Sequence, residues 1–490
     1  MSSTKSNYLF NLLLTVVSLI FPILSFPYAA RILGPVGIGK VQFIISFSQY
    51  FALISALGIP IYGIREIAKV QNDKSKLDKT FSELMIMYVI TSVILSILYI
   101  ITVSVISFVG KEVRLYYSAT GIILLGFCSI DWFYAGMEQF KTIAIRSVAI
   151  KAISLVLLYV FVKTSNDVFT YLLITIFSLL GNNIINIFLV WNRVSIVSTK
   201  LNFKRHLKPL FYIFSTSIAS SMYTLLDVII LGFLADTKAV GYYSAGVKLA
   251  KFSIPFVTSL GAVIIPQISA NLEEKNLDKF YDLLNKSFEF VVFISVPISL
   301  GLFLLSREAL LVFSGPKFLA GQAVMQILAF LPFIIGLGYF FGIQILVASG
   351  KDKQLFISVT VGMVVSIVLN FLLIPYFKET GAAYANLVSE IFVTGTYIYF
   401  VKTLFEFKIN YKSLIQTVIS SLVFIPITMI LKHIIGNLIF EVLVSIATCS
   451  AIYILIQTFL FKNSTAVSIC NILSKSLKKV VYGSGRSHSL

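Results

Sequence analysis

Residues 82–108 are SELMIMYVITSVILSILYIITVSVISF, and Glu83 is the only charged residue among them. An α-helix rises about 1.5 Å per residue, so this stretch is long enough to cross the roughly 30 Å hydrocarbon core of a membrane. Backbone N–H and C=O groups find no water in that core, and a helix satisfies them internally. The stretch therefore predicts a transmembrane helix.

The composition of the whole chain extends this prediction. Of the 490 residues, 58% are apolar and 12% are charged, and the mean hydropathy is +0.94. Soluble domains carry about 25% charged residues. These values exclude a soluble enzyme, a disordered scaffold and a secreted disulfide protein. The three cysteines and three histidines are scattered, so we predict no metal site and no disulfide framework.

Apolar stretches separated by short charged gaps predict an all-α integral membrane protein with about fourteen transmembrane helices. The predicted spans cover residues 8–30, 38–63, 82–108, 116–136, 147–163, 168–192, 210–234, 241–268, 287–305, 322–349, 356–376, 382–401, 413–431 and 438–461. The longest connection on the side opposite the N-terminus, 306–321, is too short for a folded domain. The function must therefore be carried out inside the helical bundle.

The positive charges indicate the orientation of the chain. The net charge is +18, from 39 Lys and Arg against 21 Asp and Glu. Roughly two thirds of the cations fall on the side that holds the N-terminus, and cytoplasmic loops carry such an excess. We therefore expect a multi-pass protein of the bacterial plasma (inner) membrane with both termini in the cytoplasm. Since topology explains most of the charge, no nucleic-acid partner is expected.

Two segments of the chain suggest an internal repeat. AARILGPVGIGKVQF, from residue 29, and LDVIILGFLADTKAVGYYSAGVKL, from residue 226, both pass from an intramembrane charge through Leu-Gly and a short turn into the next span. Duplicated halves are typical of transporters. We predict an N-terminal six-helix lobe over 1–200, a second over 201–405, and two further helices with a basic cytoplasmic tail over 406–490.

Ionisable residues within predicted spans are the candidate functional groups, because a charge at the bilayer centre costs about 2.5–3.5 kcal/mol and usually faces a cavity or the bundle interior. Lys248 and Lys251 lie three residues apart and so share one helix face, which suits a pyrophosphate. In an alternative to the pyrophosphate site, Asp227, which lies at similar depth on the neighbouring span, forms an ion pair with Lys248. Glu390 lies near the midplane as a proton or sodium site, or as a protonated hydrogen-bonding group. Arg31, at a span end, reaches either the interface or the cavity.

Four segments carry a family resemblance. PYAARILGPVGIG (27–39), IDWFYAGMEQFKTIAIRS (130–147) and LDVIILG with GYYSAGVKL (226–249) resemble flippases for lipid-linked oligosaccharides of the Wzx type. LNFLLIPYFKETGAAYANLVSE (369–390) resembles the wider MATE-like (MOP) superfamily. Together they extend over most of the chain.

The resemblance implies two six-helix MATE-like lobes around a central cavity, plus two C-terminal helices. It implies an undecaprenyl-pyrophosphate-linked oligosaccharide as substrate, moved between leaflets, and no enzyme activity. Relatives have a cationic cavity, and the matching positions here are Arg31, Lys248 and Lys251. Asp131 and Arg146 match the family segment too, and we expect them to be structural. No cofactor is implied beyond a coupling ion, H⁺ or Na⁺, at Asp227 or Glu390.

Alternatives remain at this point. A flippase for a lipid-linked peptidoglycan precursor is the nearest one, followed by a multidrug or cation antiporter of the same superfamily. A membrane polysaccharide polymerase fits less well, because the short outer connections have little room for catalytic groups. Membrane lipids, a polysaccharide polymerase and export machinery are the candidate partners besides the substrate.

Overall fold

The computed structural model describes residues 4–105, 112–191, 193–197, 201–406 and 410–467. Within these ranges the chain forms helices and no strand, so the predicted all-α class is confirmed. The basic tail predicted beyond the last span falls largely on 468–490, outside the described residues.

Nineteen α-helices are numbered here in chain order. Their bounds are α1 Thr4–Ala56, α2 Ile59–Val70, α3 Lys74–Val105, α4 Val113–Leu124, α5 Asp131–Gly136, α6 Phe140–Phe161, α7 Val168–Val190, α8 Lys204–Leu234, α9 Thr237–Phe252, α10 Ile254–Thr258, α11 Gly261–Glu273, α12 Leu277–Leu304, α13 Ser306–Phe313, α14 Gln322–Leu328, α15 Leu331–Gly338, α16 Asp352–Leu404, α17 Tyr411–Leu422, α18 Phe424–Ile434 and α19 Leu438–Leu455. Short 3₁₀ segments cover Leu125–Cys128 and Pro316–Gly321, and π-helical segments cover Tyr339–Val347 and Ile456–Leu460.

Two of the helices are long enough to cross a membrane twice. α1 and α16 have 53 residues each, about 80 Å at 1.5 Å per residue. Each is interrupted by one residue with non-helical backbone angles, Gly34 in α1 and Lys378 in α16. The described residues provide ten helices, or eleven with one bent pair, that are long and apolar enough to span a bilayer. Counting two crossings for each of α1 and α16 gives twelve or thirteen, which is consistent with the prediction of about fourteen spans.

The chain forms two compact units. The first comprises Met1–Ser244, Phe313–Phe318 and Ser366–Ala382, and the second comprises Ala245–Val312, Leu319–Val365 and Ala383–Leu490. The boundary lies inside α9, after Ser244. The lobes 1–200, 201–405 and 406–490 stay a prediction.

Glycines allow very close helix packing in the first unit. A β-carbon at Gly39 of α1 would lie 1.6 Å from the carbonyl oxygen of Thr237, and one at Gly241 of α9 would lie 2.0 Å from that of Pro35. Real β-carbons essentially never approach within 3.0 Å. The two repeat-like segments therefore pack backbone against backbone, and only glycine fits at both positions.

Glu83, the one charge in the opening stretch, is fully buried near the start of α3. Its carboxylate accepts hydrogen bonds from the backbone N–H of Asn202 at 2.7 Å and from the guanidinium of Arg205 at 2.5 Å. Nε2 of His206 lies 2.9 Å from the same carboxylate, and its Nδ1 lies 2.8 Å from the hydroxyl of Tyr62. Burial lowers the pKa of His206. These bonds fasten the segment entering α8 to α3 and satisfy the buried charge.

In the second unit, an apolar core gathers around α12. Buried aromatic side chains of α12 and of the π-helical segment after α15 meet there, among them Phe288, Phe340 and Phe341. Val291 and Val292 are fully buried in the same core. α12 is therefore a central helix of this unit, and α10, α11, α14, α15, α17 and α18 pack against it.

Replacing Gly39 by alanine tests the close packing in the first unit. The added methyl group overlaps the Thr237 carbonyl, and overpacking of this kind costs about 1–3 kcal/mol or more. We expect a lower melting temperature for G39A than for the parent protein in thermal unfolding of the purified protein in detergent.

G395A is the matched control, because a β-carbon at Gly395 of α16 meets nothing within 4 Å. It should melt at or slightly above the parent temperature, since alanine favours a helix by about 1 kcal/mol over glycine. Equal melting temperatures for G39A and the parent would contradict the packing described for α1 and α9.

Candidate functional site

Asp227, on α8, lies at the centre of a buried polar cluster in the first unit. Its side chain has no exposed surface. Oδ2 accepts a hydrogen bond from the hydroxyl of Tyr243 on α9 at 2.7 Å. Oδ1 accepts one from Nδ2 of Asn370 at 2.7 Å and one from the hydroxyl of Ser366 at 3.2 Å, both on α16. We call Asp227, Tyr243, Ser366 and Asn370 the Asp227 cluster.

The arrangement follows from the cost of burying a carboxylate. An ionised carboxylate removed from water must be paired or hydrogen-bonded, and bonds to a charged acceptor are about twice as strong as neutral ones. Ser366 and Asn370 are four residues apart and share one face of α16, which lets both reach the same oxygen. Oδ1 of Asn370 is buried and has no hydrogen-bond partner among the described residues. The cluster therefore combines a carboxylate with an unsatisfied neutral acceptor.

The sequence singled out Asp227 as an intramembrane charge but not the three residues that donate hydrogen bonds to it. Uncharged serines, asparagines and tyrosines are common helix-packing contacts in membranes, so their types alone carried little signal. The one usable clue was the SIVLN segment, where Ser366 and Asn370 lie at helical spacing in an otherwise apolar run.

Arg31 lies on α1 just before the interruption at Gly34, and its side chain is exposed. It contacts the turn that contains Gly315, where a β-carbon would lie 3.0 Å from Cγ of Arg31. Gly315 also has a φ of 88°, which favours glycine. The Lys317 side chain reaches the same region, since its Cδ would lie 3.4 Å from a β-carbon at Gly34. A second cation, which sequence reasoning left in an outer connection, thus lies near the same turn as Arg31.

The remaining predicted residues belong to the second unit. Lys248 and Lys251 are both half-buried on α9, and their spacing of three residues puts them on one helix face. Lys251 lies in the last turn of α9, where the partial negative charge of the helix end favours a cation. Glu390, on α16, is 7% exposed and interacts electrostatically with Tyr397.

The structure thus divides the predicted residues between the two units. Arg31 and Asp227 lie in the first unit, and Lys248, Lys251 and Glu390 lie in the second. The ion pair of Asp227 with Lys248 stays a prediction. The roles of all five residues remain proposals.

Asp131 and Arg146 form a separate cluster of the first unit. Arg146 donates a hydrogen bond to Oδ1 of Asp131 at 3.2 Å, and Nδ2 of Asn186 donates to the same oxygen at 2.9 Å. The guanidinium of Arg146 also lies 4.6 Å from the ring centroid of Tyr134. This cluster links α5, α6 and α7.

The profile of the family described as polysaccharide biosynthesis protein matches residues 4–272, more than half of the chain. The chain belongs to the polysaccharide biosynthesis protein family. A second profile, MatE, matches residues 213–372. The family and superfamily predicted from the four sequence segments are therefore confirmed.

Three known proteins resemble the chain along most of its length. A putative O-antigen transporter of Escherichia coli (strain K12) is 26% identical over 82% of this chain and 97% of its own. The lipid II flippase MurJ, in an inward closed conformation, superimposes with a TM-score of 0.75 at 17% identity, over 93% of this chain and 99% of its own. An inward-facing multidrug resistance MATE transporter superimposes with a TM-score of 0.63 at 16% identity, over 79% of this chain and 95% of its own. The MATE-like fold is thus confirmed.

Removing one hydroxyl tests the Asp227 cluster. Y243F deletes the 2.7 Å hydrogen bond to Asp227 and leaves the rest of the ring in place. A hydrogen bond to a charged group contributes about 1.5–3 kcal/mol, so we expect a clear decrease in the melting temperature of the purified protein.

Y376F is the matched control on α16. Tyr376 is 82% exposed, and no hydrogen bond to its hydroxyl is seen within the described ranges, so the same chemical change should leave the melting temperature unaltered. If both variants melt at the parent temperature, the Asp227 cluster does not contribute to stability.

Proposed function

We propose that the chain is a flippase that moves an undecaprenyl-pyrophosphate-linked oligosaccharide repeat unit across the bacterial plasma membrane, for capsule, O-antigen or exopolysaccharide synthesis. The observation that carries the proposal is a pair of half-buried lysines, Lys248 and Lys251, on a candidate membrane-spanning helix of a polysaccharide biosynthesis protein. The likeness to a putative O-antigen transporter along 82% of the chain supports it. In this proposal both termini lie in the cytoplasm.

The substrate sets the chemical task. A pyrophosphate and several sugars lose their water when they enter hydrocarbon, and the loss of hydration around phosphate charge is the larger cost. Lysine and arginine side chains replace that water with charge-assisted hydrogen bonds. Lys248, Lys251 and Arg31 are the residues proposed to do so. The lipid tail needs no such help, because it remains in the bilayer throughout.

Transfer also requires that the site open to each side in turn. Transporters of duplicated architecture achieve this by rocking one half against the other around the binding site. The MATE-like fold supplies the two halves. Alternating access is therefore the mechanism proposed here.

Release of a pyrophosphate from lysines needs an energy source. The Asp227 cluster supports a coupling-ion site, since a carboxylate, a hydroxyl and the unsatisfied Oδ1 of Asn370 are hard oxygen ligands suited to H⁺ or Na⁺. Glu390 is a second carboxylate that can take up a proton. Binding of an ion in one conformation only shifts the equilibrium between conformations by the difference in affinity.

The alternatives are less well supported. An exporter of cationic drugs favours an anionic cavity, whereas α9 carries two lysines on one face. The solved structure of a lipid II flippase MurJ shares the fold at 17% identity, and a fold does not determine the substrate. An enzyme would need catalytic groups that the short connections cannot present. A lipid-linked oligosaccharide flippase is therefore the preferred function.

Substitution of Lys251 tests this proposal. In cells that lack the chromosomal copy, K251A should restore less surface polysaccharide than the parent protein, with transfer reduced about 10- to 100-fold, because one charge-assisted contact of about 1.5–3 kcal/mol is lost. K251R keeps the charge and should retain more activity. The measurement is surface polysaccharide, normalised to the protein level in the membrane.

K353A serves as the matched control, because Lys353 is exposed at the start of α16. It should behave as the parent protein does. Wild-type surface polysaccharide with K251A would remove Lys251 from the site. Normal surface polysaccharide in cells without any copy of the protein would refute the proposed function itself.

A further inference from the structure

Lys151 is a cation in the middle of α6, a candidate membrane-spanning helix of the first unit. It lies halfway along the 22 residues of this helix, so about 15 Å of helix separates it from either end. The four-carbon stem of a lysine is much shorter than that distance. The hydrocarbon core is about 30 Å thick, so the Lys151 ammonium lies near its centre.

The neighbouring helices provide no carboxylate to neutralise Lys151. α6 packs mainly against α1 and α7, and the sequences of these three helices contain no Asp or Glu. Asp131, on α5, accepts hydrogen bonds from Arg146 and Asn186 instead. Among the described residues, Lys151 makes one hydrogen bond, in which Nζ donates to the hydroxyl oxygen of Ser18 at 2.7 Å. An ammonium group has three N–H donors, so two remain for a ligand.

A ligand can reach the groups around Lys151. Lys151 is half-buried, and Ser18, Thr15 and Asn11 are exposed on one face of α1. The hydroxyls of Thr15 and Ser18 donate to the carbonyl oxygens of Asn11 and Leu14, at 2.9 and 2.7 Å, and their oxygens keep lone pairs that can accept. We call Asn11, Thr15, Ser18 and Lys151 the Lys151 site.

The charge and depth of the Lys151 site indicate which group it binds. A charged residue at this depth is costly, and such residues usually face a cavity and mark a substrate pathway. A phospholipid headgroup lies at the membrane surface, outside the hydrocarbon core, so it does not reach the centre. Lys151 carries a single charge and its three neighbours in the site are neutral. One carboxylate balances that charge, and its two oxygens match the two remaining N–H donors.

We propose that the Lys151 site selects lipid-linked glycans that contain an acidic sugar, with the Lys151 ammonium binding the carboxylate of a hexuronic acid. The inference rests on the proposed function and names the class of glycan that is moved. Asn11 and Thr15 lie within about 10 Å of Ser18 along α1, where their amide and hydroxyl groups bind the sugar hydroxyls. The pyrophosphate carries more than one negative charge and stays assigned to the paired Lys248 and Lys251.

Transfer between leaflets by the purified full-length protein in vesicles tests the proposal. Two undecaprenyl-pyrophosphate-linked oligosaccharides are compared, one with a hexuronic acid and one in which that carboxyl group is reduced to a primary alcohol. At low lipid concentration we expect the parent protein to transfer the acidic lipid about tenfold faster, because one charge-assisted contact separates the two substrates. K151M should transfer both at the rate of the neutral lipid. Removing a charge from a span favours membrane insertion, so K151M should fold.

S18A is a second variant and K163M is the matched control. S18A keeps the charge and removes the oxygen that orients the ammonium, so it should weaken the preference for the acidic lipid less than K151M does. Lys163 is exposed in the connection after α6, so K163M should keep the full preference.

The possible outcomes separate this inference from the proposed function. Equal transfer of the two lipids by the parent protein would overturn the inference and leave the proposed function intact, as would a full preference in K151M. Slower transfer of both lipids by K151M, to the same extent, would mean that Lys151 binds the shared pyrophosphate and would overturn the assignment to a sugar. Transfer of neither lipid by the parent protein would refute the proposed function, and the role of Lys151 with it.

Discussion

A charged side chain in the hydrocarbon core of a membrane costs about 2.5–3.5 kcal/mol, and this cost determines where the chain can place its few ionisable groups. Glu83 is fully buried and is satisfied by the segment that enters α8. Asp227 is fully buried and is held by Tyr243, Ser366 and Asn370. Each of these carboxylates draws distant parts of the chain together, so the first unit is organised around the satisfaction of buried charge.

The fold also requires close helix packing. Lipid tails are as apolar as the side chains, so the hydrophobic effect contributes little to helix association in a membrane. Gly39 and Gly241 let α1 and α9 approach backbone to backbone. The same α9 carries Tyr243 toward Asp227 and, further along, Lys248 and Lys251. One helix therefore links the packing of the first unit to the cations proposed to bind substrate.

The sequence predicted the helical membrane class and the family, because these depend on long apolar runs and on motifs. It also singled out Asp227 as a rare intramembrane charge, and the role of Asp227 stays a prediction. It did not predict the donors around Asp227, since Ser366 and Asn370 look like ordinary packing residues until α8 and α16 are seen together. Contacts between helices distant in sequence leave no local pattern, and such contacts form the Asp227 cluster.

Transfer of a lipid-linked oligosaccharide between leaflets by the purified protein is the most direct measurement of the central claim. Vesicles containing the protein and an undecaprenyl-pyrophosphate-linked oligosaccharide are exposed to a membrane-impermeant reagent that oxidises sugars. A flippase should make the lipid from both leaflets accessible with time, whereas protein-free vesicles should protect the inner-leaflet fraction. Protection equal to that of protein-free vesicles, in a preparation that is folded and provided with an ion gradient, would contradict the account.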